Sequence, residues 1–299
     1  MSERAQIRVL PDVRRLHMQD GPIDLIVEAF GAAGEIGRAY RGAVPRFVEV
    51  LDELCGELAF LRRRAGVNGD LPSGPIARRM LAAVRPYASQ VFITPMAAVA
   101  GAVAEELLQA MTSNANLSRA YVNDGGDIAL HLAPGEKFVV GMVERPDRAT
   151  LFGTTTIQSQ EPIRGIATSG WRGRSFSLGI ADAVTILADT AAMADAAATV
   201  VANAVDLPGH PNIGRIPACE LAPDSDLGER LVTRSVGELS RREIRDALEA
   251  GIQVAEALRA SGLIRAAALN LQGQTRVIGS EGCSQLVDTS VPDRRPVHA

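Results

Sequence analysis

Residues 163–205 constrain the fold more than any other part of the chain. IRGIATSG is followed by WRGRSFSLGIADAVTILAD and then TAAMADAAATVVANAV. This reads as a strand, a glycine-punctuated loop, a second strand, and a helix built almost wholly from small side chains. Such a helix can lie very close to a sheet or a ligand, because methyl groups are all that separate the backbones. Asp195 and Thr199 stand four apart on it, so they project from one face a turn apart. A carboxylate and a hydroxyl so placed offer two hard oxygen ligands to Mg²⁺, an ion suited to nucleotide phosphates. An ordinary reading stands beside that one: Asp near a helix start complements the dipole, and Thr in an alanine-rich helix packs.

The rest of the composition narrows the class. Over 299 residues with 46% hydrophobic content the chain can bury a large core, yet only 4% is aromatic. Ala, Val and Leu therefore supply the apolar mass, which favours tight packing of helices on sheet. Thirty-one basic against 35 acidic residues give a formal charge of −4, with no global drive toward nucleic acid or an anionic membrane. Arg62, Arg63 and Arg64 read as the solvated end of a helix. Cys55, Cys219 and Cys283 are few and scattered, without CxxC, so neither a disulfide framework nor a zinc site is expected and a reducing cytoplasm is the simplest location. The opening MSERAQIRVL carries charges where a secretory leader needs an apolar core, and no membrane span is expected.

Along the chain, IRVL, RRLHM and IDLIVEAF predict short strands in a hairpin or meander, with His17 half-exposed on one of them. Helical spacing from Val44 to Arg64 predicts one long amphipathic helix, and a second runs from Ile76 to Val84. FITPMAAVAGAVAEELLQAM predicts a third, with Pro95 in its first turn and free N–H groups at its start where an anion could settle. Strands follow in AYVNDGGDIALHL, KFVVGMVE, GTTTIQ and GIATSG, with turns at Pro134–Gly135 and Pro146–Asp147. Gly125 and Gly126 interrupt the first of these, as a bulge, a close approach or a turn. His131 on that strand reads as a packed or surface imidazole. Residues 207–226, rich in proline, read as an irregular linker in which His210 has no nearby partner. Ser240 with Glu243 makes a capping box for a helix to Ala260, and residues 268–279 form a hairpin turning at Gly273.

Strands and helices come in segregated groups, so the expected class is α+β, an antiparallel sheet covered by long helices, as one domain over residues 1–283 with a disordered tail over 284–299. No GxGxxG follows the first strand, and neither a P-loop nor GxSxG is present. Ser169 suggests a nucleophile, but none of the four histidines has a spacing that makes it the base.

Several strings in order then converge. PMAAVAGAVAEE (95–106), VNDGGDI (122–128), TSG (168–170), SLGIADAV (177–184) and ADAAATVVANAV (194–205) together resemble the uncharacterised ApbE-like proteins, relatives of the FAD:protein FMN transferase ApbE. The resemblance implies a T-fold-like core. It also implies Mg²⁺ held by the Ala100 carbonyl, Asp195 and Thr199, and an FAD contacted by Ala98, Asn123, Gly125, Gly126 and Asp127. Thr168, Ser169 and Arg174 become the candidate catalytic residues. On the transferase pattern a target Thr hydroxyl would attack the FAD pyrophosphate and release AMP, so the implied partners are a flavin nucleotide and a protein acceptor.

The chain departs from that pattern in two places. Gly101 stands where transferases carry Lys, and SLGIADAV replaces their His-Ile-Ile-Asp-Pro string, with Arg174 where ApbE-like proteins often have His. Arg is no base at neutral pH but can clamp a phosphate or carboxylate bidentately. Two functions are therefore carried forward. One is an Mg²⁺-dependent flavin transferase, or another enzyme of a phosphorylated or carboxylated small molecule. The other is a non-catalytic ligand-binding or assembly protein on the same fold. The alanine-rich faces are also compatible with a homo-oligomer.

Overall fold

The computed structural model describes residues 4–145 and 148–279. Nine strands form one sheet in the order β1 (Gln6–Val9), β2 (Leu16–Asp20), β3 (Ile23–Phe30), β4 (Arg119–Asp124), β5 (Asp127–Leu132), β8 (Gly165–Ser169), β9 (Ala183–Ala188), β12 (Ala266–Leu271) and β13 (Gln274–Ile278). Every neighbouring pair is antiparallel, as the segregated order of elements predicts. Between β5 and β8 the chain leaves the sheet as a two-stranded ribbon, β6 (Lys137–Arg145) with β7 (Arg148–Gln158).

Alternation along the strands sorts side chains onto two faces. On one, Leu25, Val27, Val122, Ala129, Ala167, Val184 and Ile186 join the main core under the helices. On the other, Leu130, Ile166 and Leu187 make a smaller core with Ile157 and Phe138 of the ribbon. The molecule is thus layered as helices, sheet and ribbon.

The helices are α1 (Ala33–Gly56), α2 (Leu58–Leu61), α3 (Pro75–Val84), α4 (Val99–Thr112), α5 (Ala191–Ala204), α6 (Ala218–Leu221) and α7 (Arg241–Ala260). α1 begins eleven residues before the expected start at Val44 and ends before Arg64. Pro45 lies inside it and removes one ladder bond, a loss the buried stripe Ala39, Ala43, Phe47, Val50 and Leu54 overrides. Pro95 opens a 3-10 turn, Pro95–Ala98, that leads straight into α4. The stretch expected to be an irregular linker holds β10 (Ile213–Pro217) and α6, and β10 pairs with β11 (Leu231–Val236) as a second small ribbon. Its partner strand lies beyond the stretch, so local composition carried no sign of it. α7 has the capping box as read, with Glu243 N–H donating to Ser240 Oγ at 3.3 Å and Ser240 N–H to Glu243 Oε2 at 2.7 Å. Residues 284–299 lie outside the described residues.

α5 is the interior helix, packed on β8 and β9 and touched by α4 and α7. Nine of its fourteen residues are buried, seven of them alanine and two valine. Gly165 on β8 lies so near that a Cβ there would overlap the Thr190 carbonyl group. That proximity fixes where Asp195 sits.

Candidate functional site

The site lies where three chain segments meet on the helical side of the sheet: the β4–β5 turn, the start of α4 and the first half of α5. NDGGD is not one interrupted strand but a hairpin. Asp124 pairs with Asp127 and the loop is Gly125–Gly126, with φ of +62° and +118°. Two successive positive φ values match the tight hairpin turn that glycine alone adopts freely. Asn123 closes it, its Oδ1 accepting from Gly126 N–H at 2.8 Å. Asp124 and Asp127, flanking the turn, project toward α5 from the face that carries Val122 and Ala129.

Asp195 faces the start of α4. Its Oδ2 accepts from Gly101 N–H at 3.0 Å, and hydrogen bonding from the Ala100 amide also lowers its pKa. A carboxylate there satisfies orphan N–H groups and complements the helix dipole. The arrangement is reciprocal, because Glu105 of α4 accepts from Ala192 N–H at the start of α5 at 2.7 Å. Glu105 is itself held by Arg79 at 2.8 Å. Gly101 makes the crossing of the two helices possible: a Cβ would overlap the Ala191 carbonyl. A lysine side chain, which transferases carry at this point, has no room here.

Three carboxylates in so confined a place perturb one another. Loss of solvation pushes Asp124 up to about 7, and the Asp24 amide and the Arg174 charge only partly oppose it. Asp195 is also pushed up to about 7, by burial first and by the charge of Asp124. Asp127 rises well above the ordinary range through burial and through both neighbouring carboxylates, although Thr168 N–H donates to its Oδ1 at 3.2 Å. Asp195 and Asp127 keep part of their surface in water, so they line a crevice and not a sealed core. Mutual repulsion of this kind is relieved by a proton or by a cation. Among the described residues no three His, Cys, Asp or Glu side chains converge on one point as a metal cage. An ion here would complete its shell with hydroxyl, backbone or phosphate oxygens and water, which is the habit of Mg²⁺.

Arg174 is the cation nearest this group. It is exposed, makes no ion pair with a carboxylate among the described residues, and lies over Gly125, where a Cβ would overlap its Nη2. The remaining expected residues fall into place unevenly. Ala98 is buried and can contribute only backbone. Ala100 presents its N–H to Asp195, while the carbonyl of a helical residue points the other way along the axis. Thr168 takes part through its amide. Its hydroxyl shares a hydrogen bond with Thr185 at 2.9 Å on the opposite face of the sheet, in line with Ile166 and Leu187. Ser169, one residue on, points to the helical side and its hydroxyl has no hydrogen bond within the described protein. Thr199 opens into a cavity of about 650 Å³ beside the second half of α5.

Three histidines have settled structural partners: His17 with Asp24 at 2.6 Å, His131 with the Leu117 carbonyl at 3.1 Å, and His210 with Glu243 at 3.0 Å. The last partner is far away in sequence, which is why His210 reads as isolated. Asp124 and Glu105 are the site residues that sequence reading passed over. Asp124 lay inside the NDGGD string, but its role depends on where the turn falls; Glu105 gave no signal beyond a second acidic residue on α4.

Known proteins with similar sequences include three archaeal UPF0280 proteins. That of Methanopyrus kandleri is 30% identical over 176 residues, 59% of this chain and 66% of the relative. The Methanococcoides burtonii protein is 34% identical over 147 residues, 49% and 57% of the two chains, and that of Methanothrix thermoacetophila 37% over 148 residues, 46% and 56%. The chain thus spans between about half and two thirds of the length of these relatives. Among solved structures, the flavinyl transferase ApbE of Pseudomonas stutzeri in its apo form aligns over 93% of this chain and 96% of its own, with a TM-score of 0.46 and 10% identity. Among the described residues no helix is long and apolar enough to cross a membrane. The model of the family described as AbpE bacteria matches residues 7–277, and the protein belongs to that family of ApbE-like proteins.

Proposed function

We propose that this protein is an Mg²⁺-dependent enzyme acting on a phosphorylated small molecule, most concretely a flavin nucleotide whose FMN half passes from FAD to a hydroxyl of a protein acceptor. One observation carries the reading: Asp124, Asp127 and Asp195 crowd a half-open crevice at the start of α4, with Arg174 at its edge paired with no carboxylate among the described residues. Crowded carboxylates with raised pKa values are costly to a fold, and they are found where a cation or a reacting proton is handled.

Asp195 and Asp127 would hold the ion; the Thr199 hydroxyl, which opens into the separate cavity beside the second half of α5, is not part of this donor set. When bound, Mg²⁺ neutralises phosphate charge and polarises the bond to be broken. Arg174 supplies a planar, permanently charged fork for a phosphate or carboxylate, and Gly125 keeps the backbone beneath it bare. Asp124, pushed up to about 7 by burial, can accept the proton of an attacking hydroxyl in place of the histidine that the transferase pattern uses.

The test is incubation of the purified protein with FAD, MgCl₂ and a flavodoxin-type acceptor. Covalently fluorescent acceptor and AMP are expected, and Asp195→Asn should abolish both. Absence of product together with absence of Mg²⁺-dependent FAD binding by calorimetry would overturn the proposal. The reciprocal capping of α4 and α5 by Asp195 and Glu105 favours a second reading, a ligand-binding or assembly protein in which Asp195 serves architecture. On that reading a ligand is retained without turnover.

A further inference from the structure

A second cavity lies beside the C-terminal half of α5, away from the carboxylates of the crevice. It is bounded by residues 87–93, α5, the β10–β11 ribbon and α7, and its volume is about 650 Å³, within the range that encloses a small organic ligand. None of Asp124, Asp127 or Asp195 lines it.

Its chemistry is specific. One wall is apolar, formed by Val200, Val254 and Leu258. Two charges on the lining cancel: Arg215 is paired with Asp206, and a further N–H of Arg215 donates to the Leu178 carbonyl at 2.6 Å. Arg230 is different. Its guanidinium stacks 3.5 Å from the centre of the Phe92 ring and makes no ion pair with a carboxylate among the described residues. Stacking leaves the edge of the guanidinium, with its N–H donors, open to an anion. Two neutral donors also face the space. Asn203 uses its Oδ1 to accept from Leu178 N–H at 2.8 Å and Ser177 Oγ at 3.2 Å, which leaves its Nδ2 hydrogens free. The Thr199 hydroxyl has no hydrogen bond within the described protein. An apolar slot with one unmatched cation and a stacked aromatic ring at its rim is complementary to a flat, singly negative molecule.

We propose that this cavity is a binding site for a planar aromatic monoanion, its ring against Val254 and Leu258 and its acid group on Arg230. Water alone would hydrate Arg230 and the amide but would leave the apolar wall wet, which a ring relieves.

The probe is anilinonaphthalene sulfonate, titrated fluorometrically into the full chain and then displaced by naphthoate or by the uncharged naphthalenemethanol. Saturable binding of one dye per chain is expected, with displacement by naphthoate at concentrations at least about tenfold below those the alcohol requires. Arg230→Gln should weaken dye and naphthoate about tenfold, equivalent to about 1.4 kcal/mol. Val254→Trp, which fills the slot, should abolish saturable binding; where circular dichroism shows that this variant has not folded, Val254→Phe serves instead. Asp195→Asn should leave dye binding unchanged, so this result stands apart from the outcome of the flavin-transfer assay. Non-saturable binding, binding untouched by filling the slot in a folded variant, or equal displacement by acid and alcohol would each overturn the proposal.

Discussion

Replacing Asp195 with asparagine should stabilise the protein at alkaline pH and leave it nearly unchanged in acid. Asparagine is close in shape to the protonated carboxyl and keeps an oxygen to accept from the Gly101 amide, so the comparison isolates the charge. A carboxyl raised from 3.8 to about 7 in the folded chain holds its proton about 4 kcal/mol more tightly there than in the unfolded chain. The sign follows from that. The advantage of the protonated folded form is complete below the unfolded pKa of 3.8 and is lost as pH rises through about 7. Water reaching the half-open crevice, and sharing of the field with Asp124 and Asp127, reduce the net effect at this site to roughly 2 kcal/mol. At about 2 °C per kcal/mol for a chain of this size, the variant should melt roughly 4 °C above the parent at pH 8 and within about 1 °C of it at pH 4.5. The assay is thermal melting followed by circular dichroism at both pH values with EDTA present, then repeated with MgCl₂. Magnesium should raise the parent at pH 8 and leave the variant unmoved. A variant that melts below the parent at pH 8, or one with the same pH slope, would refute the crowding argument.

Other perturbations read other parts of the same reasoning. Glu105→Ala removes the acceptor for Ala192 N–H and leaves Arg79 without one of its carboxylates, so urea unfolding should show a loss of roughly 1–3 kcal/mol. Gly125→Ala places a methyl group at φ +62° against Arg174; it should cost about 1 kcal/mol of stability and weaken any anionic ligand of the crevice, measured by calorimetry with FAD and MgCl₂. Gly165→Ala collides with the backbone at Thr190 and should lower the unfolding free energy, read from denaturation curves, by roughly 1–3 kcal/mol or more, with soluble yield falling alongside. Ser240→Ala opens the capping box of α7 and should cost about 1 kcal/mol, read from the same denaturation curves.

How far the chain could be read depended on how local each signal was. The capping box of α7 and the hairpin at Gly273 involve residues within a few positions of one another, and both formed as expected. The alanine-rich helix was visible because seven buried alanines in fourteen positions leave few other structures open to that segment. Helical spacing from Val44 located this helix but not its start at Ala33; Pro45 inside it does not end it, because the buried stripe through Phe47 holds the helix on both sides. β10 was missed because its hydrogen-bonding partner begins fourteen residues further on, across α6.

The candidate site divides the same way. Sequence alone determined which chemistry-bearing residues the chain owns, that Asp195 sits on a helix of small residues, and that NDGGD is a place of unusual backbone. Tertiary structure decided that Asp124 and Asp127 flank one hairpin turn, that Asp195 meets the amides at the start of α4, and that the Thr168 hydroxyl falls on the far side of the sheet. The reason lies in the range of the forces. Periodicity and turn preference act over a few residues, while desolvation and carboxylate repulsion depend on distances through space that appear only when β4, β5, α4 and α5 are packed together.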